Sequence, residues 1–141
     1  MIAILNPAVG VGDFHFEESI EQYLATFDFG YLPKEDSNDT HSYYIDNPNM
    51  SLWVKDNGLI ENIKCTEECL YRGRNMIGMH IDDFLNFYEL LPDGDVDELN
   101  WEEDGIPQFV YEFNELGLQV WVKNAHVITI IASMPFTDEE E

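Results

Sequence analysis

Asp93, Asp95 and Asp97 stand two apart, and alternate carboxylates on a loop are what a hard cation such as calcium requires. Counted from Asp93, a calcium loop wants glycine at its sixth position and a bidentate glutamate at its twelfth. The chain has Glu98 and Asp104 there. The stretch reads instead as acidic surface. Residues 93–104 carry seven carboxylates in twelve residues, with Glu102 and Glu103 directly after Trp101. Crowded like charges repel, and a basic partner relieves the repulsion and is steered in by it. An embedded tryptophan is a residue type that anchors interfaces. Asp93, Asp95, Asp97, Glu98, Trp101, Glu102, Glu103 and Asp104 are therefore expected to contribute to a contact with a basic protein.

The other chemically capable residues form no constellation. Cys65 and Cys69 are four apart with no histidine nearby in sequence, which is half a zinc site and no disulfide framework. They are expected to be small, buried side chains. His15, His41, His80 and His126 are scattered and lie in no metal or nucleophile motif. His80 falls where a helix should start. No serine has a Gly-x-Ser-x-Gly setting, and no Gly-Lys loop could cradle a phosphate. The expectation is a protein without catalytic residues, cofactor or bound metal.

Composition bounds the class. The chain has 141 residues, enough for one domain with a sizeable core. It sets 29 acidic residues against 6 lysines and arginines, a formal charge of −23. Nine Phe, seven Tyr and three Trp argue against a disordered acidic chain. Direct binding of nucleic acid needs a positive footprint and is not expected. No apolar run is long enough to span a membrane. The first residues lack the charged and apolar regions of a secretory signal, so a cytoplasmic protein is the default expectation.

The elements that must position these residues read as a duplication. Ser19 and Gln22 have capping-box spacing, and Ile20, Tyr23, Leu24 and Phe27 form one apolar helical stripe after the cap. Ile81, Phe84, Leu85 and Tyr88 repeat that stripe 61 residues later, with Pro92 expected to stop the helix. Strands are predicted at 41–45, 50–55 and 59–63, the last two joined by Asp56-Asn57-Gly58, a hairpin signal. Strands are predicted again at 108–113, 118–123 and 126–131. Trp53-Val54-Lys55 matches Trp121-Val122-Lys123 at a shift of 68, and Asn49 matches Gly117, both residue types that tolerate positive φ. The expected fold is α+β: a single domain, 1–141, of two tandem repeats (1–64 and 65–141). Each is one helix packed on about three antiparallel strands. Strand alternation puts Met50, Leu52 and Val54, and likewise Leu118, Val120 and Val122, on the core side. Trp53 and Trp121 then point the other way, toward solvent, toward each other across the two sheets, or toward a partner for which they are candidate anchors.

The order of glycines, helix, strands and hairpin, given twice, resembles the tandem helix-plus-sheet repeats of β-lactamase inhibitory proteins. It is also similar to the SmpA/OmlA-like domains of outer-membrane assembly lipoproteins, whose helix-opening Gly-Met motif Gly78-Met79 resembles. Gly117 to Val122 is similar to a stretch of small bacterial proteins of unassigned function, some encoded beside secreted toxins. The resemblance implies a non-catalytic protein that binds another protein on its sheet face. The functional expectation is an immunity or inhibitor protein occluding a basic bacterial toxin, a nuclease above all. The alternatives are a homodimeric interaction protein pairing through its tryptophan faces, and an acidic DNA mimic.

Overall fold

The computed structural model describes residues 1–32, 40–100 and 103–135. Strand alternation builds most of it. Strands β1 (Leu5–Asn6), β2 (Gly10–Val11) and β3 (Phe14–His15) form a small antiparallel ribbon. Then β4 (Gly30–Leu32), β5 (Thr40–Asp46), β6 (Asn49–Lys55) and β7 (Ile60–Cys65) run as a meander. A short ribbon, β8 (Leu70–Tyr71) and β9 (Arg74–Asn75), leads to helix α1 (Ile81–Phe87). A second meander comes next: β10 (Asp97–Leu99), β11 (Gln108–Phe113), β12 (Leu118–Lys123) and β13 (His126–Ser133). β7 and β13 pair antiparallel through Ile130–Cys65, Ile131–Lys64, Ala132–Ile63 and Ser133–Asn62. That pairing fuses the meanders into one eight-stranded sheet, in the order β10-β11-β12-β13-β7-β6-β5-β4.

This overturns the expected α+β fold of two tandem helix-plus-sheet repeats. The described chain is mostly β, with a single α-helix of seven residues. The first expected helix is only a 3₁₀ turn, Ile20–Tyr23. Ser19 caps it by accepting from the Glu21 N–H, while the Gln22 side chain goes to Glu18 rather than back to the cap. The physical cause lies in the residues beyond Leu24. Thr26, Phe27 and Phe29 are poor helix formers, and Gly30 already belongs to β4. Phe27 and Phe29 gain more by packing on Phe14, with ring centroids 4.8 and 5.9 Å away. A short helix has little stability of its own to oppose that. The second helix is capped by His80, whose Nδ1 accepts from the Asp82 N–H at 3.1 Å, but it ends at Phe87, ahead of Pro92. Asn49 is also not the counterpart of Gly117: it begins β6 and has no positive φ, whereas Gly117 sits at φ +68°.

One sheet face carries the core. Met50, Leu52 and Val54 of β6 and Leu118, Val120 and Val122 of β12 are buried, and the residues between them are half-exposed. Ile60, Ile63, Val127 and Ile130 complete that face. The ribbon's Leu5, Val11 and Phe14, together with Ile20 and the α1 residues Ile81 and Phe84, pack against it in one cluster. Each fully buried aliphatic side chain contributes about 1.5–3 kcal/mol by leaving water.

Cys65 and Cys69 lie fully buried in the same cluster as free thiols. A hydrogen bond with Cys65, then burial, pushes the Cys69 thiol well above its ordinary value. A thiol that does not ionise neither attacks a disulfide nor holds a metal. Ellman's reagent is expected to label neither cysteine in the folded protein and both after unfolding in guanidinium; rapid labelling of the native protein would contradict the burial. No helix among the described residues is long and apolar enough to cross a membrane.

Candidate functional site: an indole-walled slot on the far face of the sheet

Register places the two tryptophans on one surface. Residues directly opposite in an antiparallel pair share a face. Trp121 stands between Val110 of β11 and Thr129 of β13. Gln119 faces Ile131, Ile131 faces Lys64, and Trp53 faces Asn62. All of these point away from the core. Each hairpin also carries a bulge at the same point, between Trp53 and Val54 and between Trp121 and Val122. Bulges add local twist, and here the face hollows beside both indoles.

The hollow is about 310 Å³ and is lined by Trp53, Trp121, Ile128, Ile131, Thr129, Lys64 and Gln108. A second hollow of about 190 Å³ shares Trp53 and Ile131 and continues toward Asn62, Glu112 and Ser133. Ile131 is buried yet lies outside the main core cluster, and with Ile128 it gives the slot its own small apolar floor. Trp121 Nε1–H donates to Gln119 Oε1 at 3.3 Å, which fixes the ring's edge. Gln119 Nε2 in turn donates to Glu112 at 3.5 Å.

Lys64 is the slot's cation. Among the described residues no carboxylate lies within ion-pair distance of it. Lys55 by contrast holds Glu17 at 3.4 Å, and Lys123 holds Asp104 at 2.5 Å.

The described acidic residues of the expected contact divide between an edge strand and the loops on either side of it. Asp97 and Glu98 belong to the edge strand β10, not to a loop. Asp97 lies opposite Val110, on the slot side. Glu98 lies opposite Phe109, which packs toward the core. Charge on an edge strand opposes pairing with another sheet. Asp93 is spent on the backbone: its N–H donates to Glu112 O at 2.7 Å, and its carboxylate accepts the Asn114 N–H at 2.6 Å. Asp95 and Glu103 are exposed. Trp101 and Glu102 lie outside the described residues.

Asp104 accepts from Lys123 and from the Ile106 N–H at 2.9 Å. The Lys123 hydrogen bond, then the backbone one, holds its carboxyl below the ordinary aspartate value. The pair therefore contributes above that ordinary value and loses its contribution as pH falls through the depressed one. A carboxyl titration by NMR is expected to place the Asp104 midpoint below ordinary aspartate, and Lys123→Met should return it most of the way. An unmoved midpoint would mean that the pair does not form in solution.

Sequence spacing did not reveal a hydrogen-bonded chain at the opposite end of the sheet. Tyr31 Oη lies 2.6 Å from His41 Nδ1, and His41 Nε2 lies 3.1 Å from Asp56 Oδ1. The ring planes of Tyr31 and His41 are 16° apart. The chain ties edge strand β4 to β5 and to the β6–β7 turn. Only the strand register brings these three residues together, as it does Lys64 and Gln108 with the tryptophans. Among the described residues, no three side chains of the metal-ligating types converge.

Comparison of the chain with protein-family models, with curated proteins and with solved structures returned no match.

Proposed function

We propose that this protein is a non-catalytic, cytoplasmic immunity or inhibitor protein that binds and occludes a basic bacterial toxin domain, a nuclease being the best fit. The observation that carries the reading is the pairing of Trp53 and Trp121, half-exposed on one sheet face beside one hollow, in a chain of net charge −23. Half-exposed tryptophans over an apolar floor have the makeup of binding hot spots. The surrounding acidity favours a cationic partner and speeds the encounter. A nuclease fits because it must present positive charge to the phosphates of its substrate. Masking that face blocks catalysis without any chemistry by the inhibitor.

Two alternatives fare less well. A homodimer through the tryptophan faces would bring two chains of −23 together, and that repulsion has to be overcome first. A DNA mimic needs regularly spaced surface carboxylates, whereas Asp93 and Asp104 are engaged locally and Asp97 and Glu98 alternate across a strand.

The immobilised protein is expected to capture a basic protein from its native cells at low salt. The captured protein should be released as salt rises, and Trp53→Ala/Trp121→Ala should lose the capture. Co-expression should protect a host from that captured protein. Retention unaffected by the double substitution would remove the sheet face from the reading. A dimer in light scattering that Trp121→Ala dissolves would favour the homodimer instead.

A further inference from the structure

We propose that the slot between Trp53 and Trp121 is a binding site for a small aromatic monocarboxylate. The inference rests on the slot's own geometry and goes beyond the partner reading. Three observations converge. The hollow, about 310 Å³, is within the size range of small-ligand pockets. Its walls are two half-exposed indoles and its floor is aliphatic, a lining that favours a flat apolar ring stacked or packed edge to face. Its polar lining residues are few, Lys64, Thr129 and Gln108, and Lys64 alone of them carries a charge.

Lys64 is the decisive residue. Carboxylates outnumber lysines and arginines 29 to 6 in this chain, so acidic partners for a lysine are plentiful. Lys55 and Lys123 each have one. Lys64 sits half-buried in the hollow with none among the described residues. An ammonium placed there can give a bound anion a charge-assisted hydrogen bond. The ligand's charge is set by the same balance. One lysine neutralises one negative charge, and the field of a −23 chain repels an anion the more strongly the higher its charge. A carboxylate fits that constraint, and a phosphate monoester does not.

The test uses the full chain and free small molecules, so its outcome is independent of any protein partner. Sodium phenylacetate is titrated against the isotope-labelled protein, with the indole N–H signals of Trp53 and Trp121 tracked by NMR. Phenylacetamide, neutral and nearly isosteric, and sodium acetate, charged but without a ring, are titrated in parallel. The acid is expected to shift both indole signals saturably and to bind about ten-fold more tightly than the amide, the effect of one charge-assisted hydrogen bond. Acetate should shift neither. Lys64→Met should bring the acid's affinity down to the amide's, and Lys64→Arg should keep the preference. The spectrum of each variant reports its fold directly. Equal binding of acid and amide, a preference that survives Lys64→Met, or saturable binding of acetate would overturn the proposal. So would the lack of any saturable shift up to about 10 mM acid.

Discussion

Replacing Gly117 by alanine is expected to destabilise the protein by about 3–5 kcal/mol, a large share of a domain's typical stability. Gly117 holds φ at +68°, where an L side chain is strained by about 1 kcal/mol. The larger part comes from contact. A Cβ there would lie 2.1 Å from the Ser133 carbonyl oxygen and 3.1 Å from the Met134 carbonyl carbon. Both are backbone atoms that no rotamer change can move. The Ser133 N–H meanwhile donates to the Gly117 carbonyl at 2.8 Å, so the chains are held together where the methyl would force them apart. Ser133 also pairs with Asn62 across the β7–β13 seam. The damage therefore reaches the junction of the two meanders. Gly73→Ala is the control: its φ is +80°, with nothing within 4 Å of the new Cβ. It should cost only about 1 kcal/mol. Urea unfolding of the two variants compares them directly. Equal losses would mean that the approach of Gly117 to Ser133 is absent in solution.

Gly117 also marks how far local reading reaches. The hairpin after it is visible because Leu118, Val120 and Val122 alternate with Gln119, Trp121 and Lys123, and the buried and half-exposed residues obey that alternation. β6 is legible for the same reason. The seam between β7 and β13 is not, because period-two patterning identifies a strand's faces and not its neighbour. Duplicated patterning marks two hairpins of one domain, but it does not say that the second hairpin's last strand pairs with the first hairpin's last strand. The candidate site divides along the same line. Trp53 and Trp121 were readable as outward-facing residues of their own strands. Lys64 and Gln108 join them only through partners distant in sequence. The acidic stretch is legible as charge and no further, for a related reason. Carboxylate count says nothing of side-chain engagement, and Asp93 and Asp104 are bound to neighbouring backbone and to Lys123.

Phe14→Ala is expected to cost about 3–5 kcal/mol, and Leu24→Ala no more than about 0.5 kcal/mol. A helical stripe of Ile20, Tyr23, Leu24 and Phe27 would give Leu24 a place in the core. The 3₁₀ turn leaves it 46% exposed. Phe14 instead is fully buried at the centre of an aromatic group, with Tyr23 at 5.2 Å, Phe27 at 4.8 Å and Phe29 at 5.9 Å between ring centroids. Phe29 passes the contact on to Tyr43 of β5, again at 5.9 Å. These rings come from the ribbon, the turn, the approach to β4 and the sheet, so removing Phe14 opens a cavity that no single element can close. Thermal unfolding should show a drop of many degrees for Phe14→Ala and almost none for Leu24→Ala. If Leu24→Ala instead proved as costly as Phe14→Ala, the stripe would be packed as a helix, and the aromatic group would not be what holds the first half of the chain against the sheet.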